Sequence, residues 1–221
     1  MNTQEFDLRL KGGIVVSCQP VADGPMDHDD VVARLGAAAI AGGAKALRIE
    51  GAARLAHVRR MLPQAFIIGI VKRELVGCAV RITPWLEDVD ALADAGANMI
   101  AVDATDRPRP IGVEALLQRI RLRNCLAMAD CASAQQGVAA NALGFDVVGT
   151  TLSGYMGDAV PEAPDWALLQ LLAQTCPRVM AEGRFNTPQA VRRAKDLGAW
   201  AVTVGTAITR TEHVTEWFCK A

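Results

Sequence analysis

The chain has 221 residues, 51% of them hydrophobic and 21% charged, with a formal net charge of −1. That length can bury a substantial core, and the balance is that of a soluble globular protein. With neither a basic excess nor a basic block there is no electrostatic footprint for nucleic acid or an anionic membrane, and no apolar run is long enough to span a bilayer.

In chain order, the lead "NTQEFDLRLK" places Phe6 and Leu10 four residues apart, which predicts a short helix with one apolar face. "GIVVSCQ" (13–19) follows as a buried strand. A helix is predicted over 27–42, with an apolar stripe at Val31, Leu35, Ala38 and Ala39 and with Asp27 to cap its start. "GAKALRIEG" from Gly43 reads as the second strand and 51–62 as its helix; "AFIIGIVK" (65–72) is the third, before a helix over 86–95. Strands then recur in "GANMIAVDAT" from Gly96, "NCLAMAD" (124–130), "GFDVVGTT" from Gly144, "RVMAEG" (178–183) and "GAWAVTVGT" from Gly198. Helices are predicted over 111–121, 133–143, 163–175, 187–197 and 211–218, and Thr187 and Pro188 suit the start of the one at 187.

The chain therefore repeats itself. The strands are near-continuous apolar runs, which is the mark of parallel strands covered by helices. Eight strand–helix units in one domain spanning 1–221 predict an α/β fold, a (β/α)8 TIM barrel, with the lead helix closing its N-terminal end. A doubly wound open sheet is the alternative, but no G-x-G-x-x-G follows the first strand.

In such barrels the chemistry sits where strands end and βα loops begin. The ends read Gln19, Arg48 with Glu50, Lys72 with Arg73, Asp103, Asp130, Thr150 with Thr151, Glu182 with Arg184, and Gly205 with Thr206. One polar strand end is only the chain emerging into water. Eight converging on one mouth, with both signs of charge, predict a binding site. After strands 7 and 8, "EGR" and "VGTAITR" offer the backbone N–H groups of Gly183, Gly205 and Thr206 to a phosphate, with Arg184 or Arg210 adding charge. Lys72 and Glu182 are the candidates for proton transfer. Lys72 closes an apolar run beside Arg73 and facing Arg48, and burial and neighbouring cations both suit a lysine to act as a base. Asp130 is assigned to substrate hydroxyls or to orienting Lys72, and Asp103 to a structural role. With no histidine beside them, these two carboxylates make a poor metal site.

The six cysteines include no C-x-x-C pair, and Cys18 and Cys125 sit in apolar strand runs as small hydrophobes. The three histidines have no ligand spacing, so no metal is expected. Reduced thiols and the lack of an export signal predict the cytoplasm.

At these strand ends the sequence resembles the N-acetylmannosamine-6-phosphate 2-epimerase family, bacterial enzymes that interconvert N-acetylmannosamine 6-phosphate and N-acetylglucosamine 6-phosphate. The resemblance is carried by "LKGGIVVSCQP" (10–20), "GIVKRE" (69–74), "RITPW" (81–85), "IAVDAT" (100–105), "MADCAS" (128–133), "DVVGTTLSGY" (146–155), "AEGRFNTP" (181–188) and "VTVGTAITR" (202–210), in order over almost the full length. It implies a cofactor-free epimerisation at C2, with Lys72 as the main acid/base residue and Glu182 as its partner. It also implies that Gln19, Arg48, Asp130 and Arg210 contact the phosphorylated amino sugar, whose phosphate sits at the strand 7–8 loops. A homodimer with exchanged C-terminal helices is a further implication; Val214, Trp217 and Phe218 form an apolar stripe there that could equally cover the barrel's own flank. There are departures. Glu74 stands where the family has Asp, without the usual Tyr after it, and "RIEG" ends the second strand where a small or amide residue is usual. Trp85, and Met156 in "SGYMGD", replace common threonines.

Epimerisation at C2 needs the sugar ring open, so that the C2 proton lies α to the C1 aldehyde. Removing it gives an enolate, and reprotonation from the other face inverts the centre, which calls for a base, an acid and a stabiliser of the enolate oxygen. The sequence is compatible with one base serving both faces and with Glu182 as the second, and with Glu182 as proton donor or as hydroxyl clamp. The alternatives are another phosphosugar barrel, whether an isomerase or a thiamin-phosphate-synthase-like transferase, and a non-catalytic phosphosugar sensor. The Lys72/Glu182 pair with "GTTLSGY" argues against the other enzymes, as does the absence of a carboxylate cluster for diphosphate and magnesium.

Overall fold

The computed structural model describes residues 3–157 and 160–221, the side chain of Thr3 excepted. Asn2 of the predicted lead helix and Asp158 of "SGYMGD" lie outside the described residues. Eight parallel strands close into a barrel in chain order: β1 (Ile14–Ser17), β2 (Ala46–Glu50), β3 (Ile67–Ile70), β4 (Met99–Asp103), β5 (Leu126–Asp130), β6 (Val147–Gly149), β7 (Val179–Ala181) and β8 (Ala201–Val204). Register pairs such as Val15↔Ala46 and Ile14↔Val202 close the ring on both sides of β1. The helices are α1 (Thr3–Leu10), α2 (Asp29–Ala41), α3 (Ala52–Met61), α4 (Leu86–Asp94), α5 (Val113–Leu122), α6 (Ala134–Leu143), α7 (Trp166–Thr175), α8 (Pro188–Asp196), α9 (Thr206–Thr209) and α10 (Thr211–Cys219). This is the expected (β/α)8 barrel.

Alternation along each strand splits the core in two. Val15, Ala46, Ile68, Met99, Met128, Val147, Met180 and Ala201 point inward and pack into one buried cluster. Their neighbours Val16, Leu47, Ile67, Ile100, Val148 and Val202 point outward, under helix residues such as Leu55, Leu92, Leu116 and Leu169. Both strand faces are buried, which is why the strands read as unbroken apolar runs.

The lead helix closes the barrel floor as expected. Phe6 and Leu10 are buried in the interior cluster, and the Phe6 ring lies 4.9 Å from that of Trp200. Asp7 secures the plug: its Oδ1 accepts from Trp200 Nε1 at 2.9 Å and from Arg178 Nε at 2.7 Å. Among the described residues no helix is long and apolar enough to cross a membrane.

Local details differ from expectation. The fully buried residues of α2 are Val32, Ala33 and Gly36, and Leu35 and Ala39 of the predicted stripe pack partly buried beside them. At Gly36 a Cβ would stand 2.8 Å from Leu47 Cδ1; the missing side chain lets the helix lie close against β2. Asp27 does not cap α2. It accepts from Asp23 N and pairs with Arg54 at 2.8 Å. Two features escaped the periodicity: the four-residue α9, and an antiparallel excursion after β3 in which Lys72 bridges to Ile82. We call residues 72–82 the strap.

Candidate active site

Gln19, Arg48, Lys72, Glu182, Gly183, Arg184, Gly205, Thr206 and Arg210 all line one cavity of about 830 Å³ at the C-terminal mouth of the barrel. Alternation brings them there. Arg48 is the inward position two after Ala46, Glu182 the one two after Met180, and Asp130 the one two after Met128. Asp130 sits just below, fully buried.

Arg48 is the hub. Its side chain is 1% exposed, and its fork meets Asp130 through Nη2–Oδ2 at 2.6 Å and Nη1–Oδ1 at 3.2 Å. Nη1 also lies 3.1 Å from Glu182 Oε2. Burial alone would push the guanidinium pKa down, but the Asp130 and Glu182 carboxylates outweigh it and the net shift is upward. Glu182 is shifted upward as well, and here burial is the cause: it raises the pKa, Arg48 opposes, and the Asp130 charge adds to the rise. The acid form of Glu182 therefore persists above the ordinary carboxylate range.

The "GTT" after β6 braces this network. Thr150 Oγ1 donates to Glu182 O at 2.8 Å and accepts from Glu182 N at 3.0 Å, fixing the backbone of the carboxylate. Thr151 Oγ1 donates to Asp130 Oδ1 at 2.6 Å. Gly149 leaves the room: a Cβ there would stand 2.6 Å from Met128 Cε and 3.3 Å from Asp130 Oδ1.

Lys72 is set differently from the sequence reading. Its side chain is 41% exposed and its Nζ lies 3.2 Å from Glu50 Oε2, while Arg73 turns away, Nε donating to Asp88 at 2.9 Å. The expected desolvation is absent because β3 ends at Ile70, so Lys72 already belongs to the wet strap. Arg48 instead lies deep among carboxylates, and Asp130 holds that arginine and Thr151 rather than the lysine. Strands β3 and β7 are four apart in a ring of eight, so Lys72 and Glu182 rise from opposite walls.

The third side of the cavity belongs to β7, β8 and β1. Gly183 and Arg184 both have positive φ, 107° and 65°. An arginine adopts that conformation at a cost of about 1–2 kcal/mol, and here it is held by bonds from Nε to Ala163 O at 2.7 Å and from Nη1 to Ser153 O at 2.9 Å. The Gly205 carbonyl opens α9 by accepting from Ile208 N and Thr209 N. Thr209 Oγ1 donates across to Ser17 O at 2.8 Å, and Arg210 Nε to Gln19 O at 3.0 Å. Gln19 Nε2 in turn donates to Ser17 Oγ at 2.7 Å.

Asp103 also reaches the cavity, and its Oδ1 accepts from Thr105 N at 2.9 Å, Thr105 Oγ1 at 2.6 Å and Arg109 Nη2 at 3.1 Å. Other lining residues were passed over: Ser17 and Thr203 inside the barrel, Leu75 and Cys78 on the strap, and Arg107 in the loop after β4. Strict period-two counting finds Ser17 and Thr203, because each follows an inward residue by two. Loop residues carry no such signal. Among the described residues no group of three or more His, Cys, Asp or Glu side chains could hold a metal ion.

Comparison with known proteins gives the family. Residues 32–221 match the NanE family model, described as "Putative N-acetylmannosamine-6-phosphate epimerase". A relative from Proteus mirabilis, "Putative N-acetylmannosamine-6-phosphate 2-epimerase", is 52% identical over 215 residues, covering 97% of this chain and 92% of its own. The solved structure of the N-acetylmannosamine-6-phosphate 2-epimerase from Clostridium perfringens superposes with a TM-score of 0.94 at 37% identity, covering 100% of this chain and 97% of that one. The thiamine phosphate pyrophosphorylase of Pyrococcus furiosus, covering 95% of this chain and 93% of its own with a TM-score of 0.64 and 17% identity, shares the barrel alone. The chain belongs to the N-acetylmannosamine-6-phosphate epimerase family.

Proposed function

We propose that this chain interconverts N-acetylmannosamine 6-phosphate and N-acetylglucosamine 6-phosphate by removing and replacing the proton at C2. The observation that carries the reading is the placing of Lys72 and Glu182 on opposite walls of one cavity, with Gly205, Thr206 and Arg210 on a third side.

In the ring-opened sugar, Lys72 takes the C2 proton, leaving an enolate whose charge is shared with the C1 oxygen. The lysine ammonium and the Arg48 guanidinium stabilise that oxygen. Glu182, whose pKa burial raises, delivers a proton to the opposite face of C2 and the centre inverts. Opposed walls favour this two-residue course over rotation of the intermediate. Asp130 acts beneath the substrate by fixing Arg48. The phosphate lies against the backbone of Gly183, Gly205 and Thr206 with Arg210 beside it, while Gln19 and Arg184 complete the polar wall. Binding energy at this remote end positions C2.

The chain acts as a homodimer in this reading. Helix α10 has no buried residue, and Trp217 and Phe218 are 43% and 79% exposed at the end of the chain, a surface a second copy would cover. Light scattering at the monomer mass would overturn that. Six free cysteines fit a reducing compartment, the cytoplasm. The activity is tested by incubating the protein with N-acetylmannosamine 6-phosphate and following the anomeric protons by NMR. Appearance of the N-acetylglucosamine 6-phosphate signals supports the reading, and binding without turnover overturns it.

A further inference from the structure

The strap is held firmly at its base and sparsely at its tip. At the base Arg73 N donates to Arg81 O at 2.9 Å, Thr83 N to Val71 O at 2.7 Å and Thr83 Oγ1 to Ala101 O at 2.7 Å. Toward the tip Glu74, Val76, Gly77 and Ala79 are exposed, while Leu75 and Cys78 are half-buried and line the cavity. The strap's buried apolar residues, Val80 and Ile82, lie at its returning end, so the tip takes its position from its polar contacts. Two of these reach the loop after β4: Cys78 Sγ donates to Pro108 O at 3.1 Å, and Ala79 O accepts from Arg107 Nη1 at 3.2 Å.

Arg107 reaches further. Its Nη2 donates to Tyr155 O, in the loop between β6 and α7, and Leu152 and Tyr155 of that loop also line the cavity. One guanidinium thus joins the strap to the β6–α7 loop across the mouth. The fork is seated on the end of β4, where Arg107 Nη1 lies 3.5 Å from Asp103 Oδ2. That carboxylate is 1% exposed and its Oδ1 is already filled by Thr105 and Arg109, whereas Oδ2 has no hydrogen-bond donor among the described residues. A planar fork can serve two carbonyls and a carboxylate lying in different directions; a lysine ammonium on a flexible stem cannot hold the same geometry.

We propose that Arg107 is a positioning residue for the epimerisation: it clasps the strap to the β6–α7 loop and so holds the mouth of the cavity closed around the sugar. The proposal rests on the reading of the site given above. Lys72 is the first residue of the strap, so slack in the strap reaches the proton-transfer group as well as the wall that encloses the substrate.

The test compares wild type with Arg107→Ala and Arg107→Lys by hydrogen exchange, read over residues 73–82 and 152–157 without sugar. It is paired with steady-state kinetics on N-acetylmannosamine 6-phosphate. In the alanine variant exchange in both segments should rise about tenfold or more, with α7 unchanged, and KM should rise by a similar factor. The lysine variant should recover part of the protection and part of the KM. Wild-type exchange in both segments, or an unchanged KM, in either folded variant overturns the proposal. Should the alanine variant fail to fold, the lysine variant decides alone by the same two readouts. A wild-type protein inactive on the sugar phosphate would sink the functional reading, while the exchange arm would still report on the clasp.

Discussion

Arg48 on β2 and Asp130 on β5 meet inside the barrel in a two-pronged ion pair, 2.6 and 3.2 Å long, with both side chains almost wholly out of water. The strands are three apart in the ring, so the pair spans the interior rather than running along the sheet. It fixes a cation at the base of the cavity, and Glu182 is the third member.

Removing the hub should therefore cost stability as well as activity. Arg48→Leu leaves the buried Asp130 carboxylate, and the Glu182 carboxyl beside it, without their cation, and a loss of about 3–5 kcal/mol is expected in urea unfolding. Asp130→Asn in the same chain should restore part of it. A change within about 0.5 kcal/mol, the range of an ordinary surface site, would contradict this.

Glu182 should leave a pH signature. Its folded pKa is raised, so the stability it contributes is fully present below its unfolded value and is lost as pH rises through the folded one. Glutamine cannot ionise, so Glu182→Gln lacks this loss. Unfolding free energies measured upward from the ordinary carboxylate value of about 4.3 should move progressively in the variant's favour until the raised pKa is passed, then level off. A difference independent of pH would contradict the raised pKa.

Arg210 separates phosphate binding from chemistry. Arg210→Ala should raise KM for N-acetylmannosamine 6-phosphate by about tenfold to a hundredfold, the worth of a charge-assisted bond, with kcat little changed. Unphosphorylated N-acetylmannosamine should be indifferent to the change. An equal effect on both sugars would move the phosphate elsewhere in the cavity.

Much of this was legible in the sequence because barrel strands are short, apolar and evenly spaced, and because alternation turns each polar strand end inward. Arg48, Asp130 and Glu182 were found as polar residues ending apolar strands, and the lead helix was found from Phe6 and Leu10 alone. Contacts that depend on where a strand stops were not legible. Lys72 looked buried because "AFIIGIVK" is apolar up to its last residue, yet β3 ends at Ile70 and the lysine stands in the strap beside Glu50. Thr150 and Thr151 were recognised as a motif, but their partners come from β7 and β5, and no local pattern announces such a partner. Arg107 was invisible for the same reason: its bonds go to backbone carbonyls of two distant loops.

The central claim is that Lys72 removes the proton at C2. It is tested most directly by incubating N-acetylmannosamine 6-phosphate in D2O with wild type and with Lys72→Ala, and following the C2 proton by NMR. The account predicts deuterium at C2 alongside epimerisation with wild type, and neither with Lys72→Ala, although the variant still binds the sugar phosphate. Full exchange and epimerisation by Lys72→Ala would contradict it.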